Sequence, residues 1–204
     1  MDSGRGVRRG DDELQRPMNL LINSIEAEFR RYQALAEAAL EQVSEEQLSA
    51  PGPSGGNSLA IICWHISGNL QSRFTDFLES DGEKPWRQRE EEFAARTVTR
   101  AELLAKWAIG WKVLLNTIGS LRDADLTAVV LIRGRPLAVH EALFRALAHI
   151  SYHVGQIVYL AHAHRGEAWK YLSIPPGGSA AYNADPQREK PAEQAGALGA
   201  RPSA

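Results

Sequence analysis

Residues 139–165, VHEALFRALAHISYHVGQIVYLAHAHR, constrain the fold more than any other stretch of this chain. Leu143, Leu147, Ile150, Val154, Ile157 and Val158 recur at three- and four-residue intervals, the period of one helix face. Beside them, Ala148, Ser151 and Gly155 form a sector small enough for close approach by another helix. A third row is polar and holds Arg145, His149, Tyr152, His153 and Gln156. A helix from about Val139 to Arg165 would keep almost no freely solvated side. It belongs at the centre of a helical bundle or at a subunit interface.

Three further segments have the same period. One runs from about Met18 to Val43, a second from about Ser58 to Ser80, and a third from about Arg100 to Ser120. Thr99 and Glu102 have capping-box spacing at the start of the third. Between the first two, SAPGPSGGNS breaks the chain with two prolines and three glycines. DGEKPWRQREEEF reads as a loop packed at the bundle mouth, with Trp86 as an apolar wall. TAVVLIRGRP, β-branched and then turned at Gly134, fits a short hairpin or extended crossover before the fourth helix. The expected fold is all-α, a four-helix bundle over residues 16–183. Residues 1–15 and 184–204, rich in Gly, Ala, Pro and charge, read as disordered tails.

The formal net charge of −2 leaves no electrostatic footprint for nucleic acid. No apolar run approaches the roughly 18–20 residues that cross a bilayer, and MDSGRGVRRGDDELQRP lacks the apolar core of a secretory signal. A cytoplasmic protein that binds neither membrane nor nucleic acid is expected. The single cysteine, Cys63, excludes an internal disulfide and reads as a small buried hydrophobe.

The chain's six histidines are unevenly placed: four lie between positions 149 and 164. At about 100° per residue, His149 and His153 stand one turn apart on one face, a spacing that lets two imidazoles share a metal ion. His140 and His162 point about 180° away from that pair. His164 lies about 16 Å along the axis from His153. A catalytic zinc normally takes three protein ligands. His65, set among Ile61, Ile62, Trp64 and Ile66, is the best source for the third. Its face continues through Asn69, Ser72 and Asp76, with Arg73 at the margin. The alternative is that all three are hydrogen-bonded core histidines. The zincin signature is absent, since His140-Glu141 is followed by Phe144 where a second histidine would stand. There is no Walker loop, no GxGxxG and no G-x-S-x-G.

HISGNLQSRFTDFLESDGEKPWRQREEEF, LLAKWAIGWKVL, IRGRP, ALAHISYHVGQIVYLAH and WKYLSIPPGGSAAYN together resemble the DinB-like superfamily (DinB/YfiT-type metalloenzymes). Within it, they resemble a branch of unassigned function. The likeness covers about residues 17–183. It implies an up-down-down-up four-helix bundle, often a homodimer. It also implies a divalent metal held by three histidines, which fall here on His65, His149 and His153. Zinc or nickel is the usual ion, and an all-histidine set does not separate them.

Three neutral imidazoles leave such an ion its full charge, which acidifies a bound water or thiol. The resemblance therefore implies thiol transfer, with a low-molecular-weight thiol as co-substrate, or hydrolysis of a small substrate. Asn69 and Arg73 are the expected substrate-binding residues. Arg145 is a further anion-clamp candidate, and Gln156 could hydrogen-bond a ligand or fill the core. The alternative from another class is a metal-binding dimer without catalysis, serving stress response or protein interaction.

Overall fold

The computed structural model describes residues 19–200. The described chain is mainly helical, with one small sheet. Its long helices are α1 (Leu20–Leu40), α3 (Leu59–Phe74), α4 (Arg100–Ser120) and α5 (Val139–Arg165). Short helices α2 (Glu45–Ser49), α6 (Ser179–Ala184) and α7 (Pro191–Gly199) lie in the connections and toward the C-terminus. Strands β1 (Val129–Ile132) and β2 (Arg135–Ala138) form an antiparallel hairpin with Ile132 opposite Arg135.

Three helix starts follow from side-chain caps. Ser58 accepts from the Ile61 N–H, and Thr99 with Glu102 completes the expected capping box on α4. Ser44 and Gln47 make a second box that starts α2. The apolar faces then share one core. Phe29 and Leu40 of α1, Ile66 and Leu70 of α3, Trp107 and Trp111 of α4, and Val154 and Ile157 of α5 are all buried. α3 lies so close to α4 that a Cβ on Gly110 would stand 2.7 Å from Ser67 Cα. The C-terminal end of α1 is closed by Arg100, whose guanidinium donates to the Leu40 and Val43 carbonyls.

The structure differs from the sequence expectations in two places. The second helix was expected to reach Ser80 but ends at Phe74. Thr75 is extended and Asp76 takes a positive φ of 46°, so the apolar residues after it, Phe77 and Leu78, no longer continue the helix. Near the C-terminus, where composition suggests a tail from 184, residues 191–199 form α7, which packs on α1 and buries Leu198. The other expected tail, 1–15, lies outside the described residues. Between α4 and α5, of the two forms considered, the chain takes the hairpin. Arg133 and Gly134, at φ 56° and 68°, make the two-residue turn that requires positive φ at both positions.

That turn is tied to the loop after α3. Asp81 accepts from the Arg133 and Gly134 N–H groups at 2.8 and 2.6 Å, and the Gly82 N–H donates to the Leu131 carbonyl at 2.8 Å. Hairpin and loop thus form one unit at the mouth of the helices. No helix among the described residues is long and apolar enough to cross a membrane.

Candidate metal centre

α3 and α5 bring His65, His149 and His153 together, with one ring nitrogen from each lying within 4.8 Å of the others. The i,i+4 pair comes from α5 and the third member from α3. Among the described residues this is the group of three or more His, Cys, Asp or Glu side chains placed to hold a metal ion. Around an ion with Zn–N bonds of ~2.0–2.1 Å, tetrahedral ligand nitrogens stand about 3.3 Å apart. His65 Nε2 and His149 Nε2 are 3.1 Å apart, so the cluster has the dimensions of a ligand set.

The outer nitrogens are tied in a way that frees the inner ones. His65 Nδ1 lies 2.9 Å from Glu92 Oε2, and a carboxylate can only accept, so Nδ1 carries the proton. The His65 Nε2 lone pair is then directed into the cluster. On α5, His153 Nδ1 donates to Gln156 Oε1 at 2.8 Å, which leaves its Nε2 as an acceptor. Carboxylate or amide partners on the far ring nitrogen are what orient histidine ligands in metal sites.

Glu92 is fixed from behind. Arg87 grips it with two parallel hydrogen bonds, Nε to Oε1 and Nη2 to Oε2, each 2.8 Å. The side chains of Arg87 and Glu92 are 2% and 9% exposed, so the pair is withdrawn from water. Glu92 reaches this position because Gly68 faces it across α3; a Cβ there would stand 2.2 Å from Glu92 Oε1. Phe93 follows and lays its ring 4.7 Å from that of His65.

Electrostatics keep the cluster ready to donate lone pairs. Burial lowers the His149 pKa to about 3, helped by the neighbouring His153 and His65. His153 is also lowered, by burial that outweighs the hydrogen bond to Gln156. Burial acts to raise Glu92, but the Arg87 and His65 hydrogen bonds more than offset it and hold its carboxyl below the usual range. Near neutral pH, His149 and His153 are therefore uncharged and Glu92 is ionised.

A cavity of about 200 Å³ opens over the cluster, lined in part by His65, His149, Asn69 and Arg73. Both expected substrate-binding residues are thus at its wall. Arg73 is already engaged: it donates to the Gly82 carbonyl and pairs with Glu83 at 3.0 Å. Arg145 lines the same cavity, whereas Trp86 is 53% exposed and is not among its lining residues. Of the remaining histidines, His140 bonds the Leu126 carbonyl, and His162 stacks on Trp169 at 5.0 Å. Cys63 is fully buried and desolvation pushes its thiol pKa well up, as expected of a core residue.

Glu92 and Arg87 were not recognised from the sequence. The run Glu90-Glu91-Glu92 offers no period that selects its last member, and its histidine lies 27 positions away.

A family model described as protein of unknown function, DUF1572, matches residues 18–178. No curated protein matches the chain.

Proposed function

The chain belongs to the DUF1572 family, and from that premise we propose that it is a divalent-metal-dependent enzyme of the DinB-like type. Its reaction is thiol transfer, or hydrolysis, on a small substrate. One observation carries this reading: three histidines from two helices converge, two of them lining a cavity, with two outer ring nitrogens held by Glu92 and Gln156. In this reading the long helices form the DinB up-down-down-up bundle, and the protein works as a cytoplasmic homodimer.

His65, His149 and His153 hold the ion, with zinc or nickel the best candidates for an all-imidazole set. A divalent ion there supplies Lewis acidity that lowers the pKa of a thiol or a water. The protein's own share is positional. Glu92 fixes the His65 tautomer, Gln156 fixes that of His153, and Asn69 and Arg73 bound the space in which a substrate lies. Among the described residues, no carboxylate or tyrosine lines the cavity. That favours thiol transfer over hydrolysis, because hydrolysis needs a nearby group to relay the proton of a water. The same observation favours the second reading, metal binding without catalysis.

Elemental analysis of purified, untagged protein beside the His149→Ala/His153→Ala variant tests the metal. Near-stoichiometric divalent metal in the wild type, lost in the variant, is expected. No metal after supplementation with zinc, nickel, iron or manganese would return the three residues to the core-histidine reading. Turnover of a low-molecular-weight thiol with an electrophile by the loaded protein then separates enzyme from metal-binding protein.

A further inference from the structure

The wall of the cavity carries far more positive charge than its neighbours neutralise. Arg73, Arg87, Arg89, Arg133 and Arg145 all line it. Guanidinium groups stay protonated at any ordinary pH. Arg87 is answered by Glu92, while Arg73 and Arg133 share the Glu83 carboxylate, with Asp81 close by. Arg89 meets only Glu90, whose side chain is 88% exposed, so that pair neutralises little. Arg145 has no ion pair or hydrogen bond among the described residues.

Two of these arginines are structural and three are available. Arg73 and Arg87 are spent on the Gly82 carbonyl, Glu83 and Glu92. Arg133 uses Nε on Glu83, and its two Nη groups have no partner among the described residues. Arg89 stacks its guanidinium 4.9 Å from the Phe93 ring, which holds it near the cavity. Arg145 precedes His149 by four residues, about 6 Å along α5 and on the same face. Among these charges, Phe74, Phe77, Ile132, Ala142 and Ala146 give the cavity apolar lining. Its volume, about 200 Å³, is below the ~300–1,000 Å³ of sites that take drug-sized ligands.

We propose that this cavity recognises a small amphiphilic oxyanion, a carboxylate or phosphate group on a short apolar body. Arg145, Arg133 and Arg89 receive the oxyanion, and the apolar lining receives the rest of the molecule. The proposal deepens the preceding reading by assigning the substrate class, and it rests on that reading only in taking the bound anion to be the substrate. Arg145 is the specificity-determining residue, because it alone of the five has no ion pair among the described residues. Its position one turn from His149 places the anionic group about a helical turn from the histidine cluster.

Calorimetric titration of the full chain with phenyl phosphate, benzoate and the neutral benzyl alcohol tests the proposal, in metal-free and zinc-supplemented protein. Either oxyanion is expected to bind, more weakly at high salt, while benzyl alcohol does not. Arg145→Ala is expected to weaken binding about tenfold, with partial recovery in Arg145→Lys, which keeps the charge but loses the planar fork. Arg30→Ala, on exposed α1 surface, is the charge control and should change nothing. Binding should persist in the His149→Ala/His153→Ala variant. A wild type that takes up no metal on supplementation but still binds oxyanions through Arg145 would sink the metal reading alone. Equal affinity in wild type and Arg145→Ala would overturn the proposal, as would equal affinity for benzyl alcohol or no binding of either oxyanion at millimolar concentration.

Discussion

His65 and the α5 pair reach the same point by different physical means. His65 is 5% exposed, and its ring is set by Glu92, which is held in turn by an almost fully buried Arg87. That chain of contacts links α3 to a loop 27 positions away. His149 and His153 are half-buried, and the side-chain hydrogen bond of His153 among the described residues runs three residues along its own helix to Gln156. On the α3 side, orientation of the candidate ligand and stability of the fold are therefore one problem. On the α5 side they are nearly separate.

The sharpest way to break this contrast is Glu92→Ala. It leaves the Arg87 guanidinium buried without its carboxylate, and removing one partner of a buried pair costs about 3–5 kcal/mol. The urea midpoint should fall accordingly, and Glu92→Gln, which keeps an acceptor for His65, should fall less. If Glu92→Ala destabilises no more than His153→Ala, the buried network is not what supports the α3 side. Gly68→Ala comes next. Its Cβ would displace the Glu92 carboxylate, an overpacking worth about 1–3 kcal/mol. A crystal structure of that variant should show Glu92 withdrawn from His65 Nδ1.

The same contrast explains what could be read from the sequence. Helical geometry is local, so the His149/His153 pair and the start of α4 at Thr99 were legible from spacing. His65 could be singled out because a histidine among Ile61, Ile62 and Ile66 needs a partner. The partner itself was hidden. Glu92 acts through tertiary placement of a loop, and nothing in its immediate sequence separates it from Glu90 and Glu91. The end of α3 was misplaced for a related reason. Phe77 and Leu78 keep the chain apolar past the turn at Asp76, so composition continues where the helix does not. α7 was missed because its sequence, PAEQAGALG, has little apolar surface beyond Leu198. The family resemblance carried the ligand assignment further than spacing alone did.

Acid should weaken both sides, over different ranges. His149 is held neutral in the fold, with its pKa lowered to about 3 from 6.5. Between those values the unfolded chain binds the proton and the fold does not, so stability falls as pH drops below about 6.5. Because His149 is only partly buried, the slope should be a fraction of the ~1.4 kcal/mol per pH unit of a fully withdrawn group. Glu92 has its pKa lowered below 4.5, so its contribution is complete above that value and is lost only as pH falls further. Urea midpoints at pH 7.5, 6.5, 5.5 and 4.5 should decline in the wild type and decline less in His149→Gln. Identical slopes in the two proteins would show that His149 is not the group being protonated.

Gln156→Leu should have the smallest effect on stability and separates the two sides most cleanly. Gln156 is partly exposed and touches the cluster only through its 2.8 Å bond to His153 Nδ1. Losing a hydrogen bond at such a site costs about 0.5–1.5 kcal/mol, and an apolar replacement of similar shape recovers part of that. The His153 ring, however, loses the acceptor that keeps its proton on Nδ1 and its Nε2 lone pair turned inward. Removing an outer partner of this kind lowers metal affinity by about 10–100-fold. A variant with a near-native urea midpoint but weakened zinc affinity in competition with a chelator would show that the α5 side serves the ligand set rather than the fold. A loss of stability matching that of Gly68→Ala would show instead that both sides are part of one buried network, and the contrast between them would disappear.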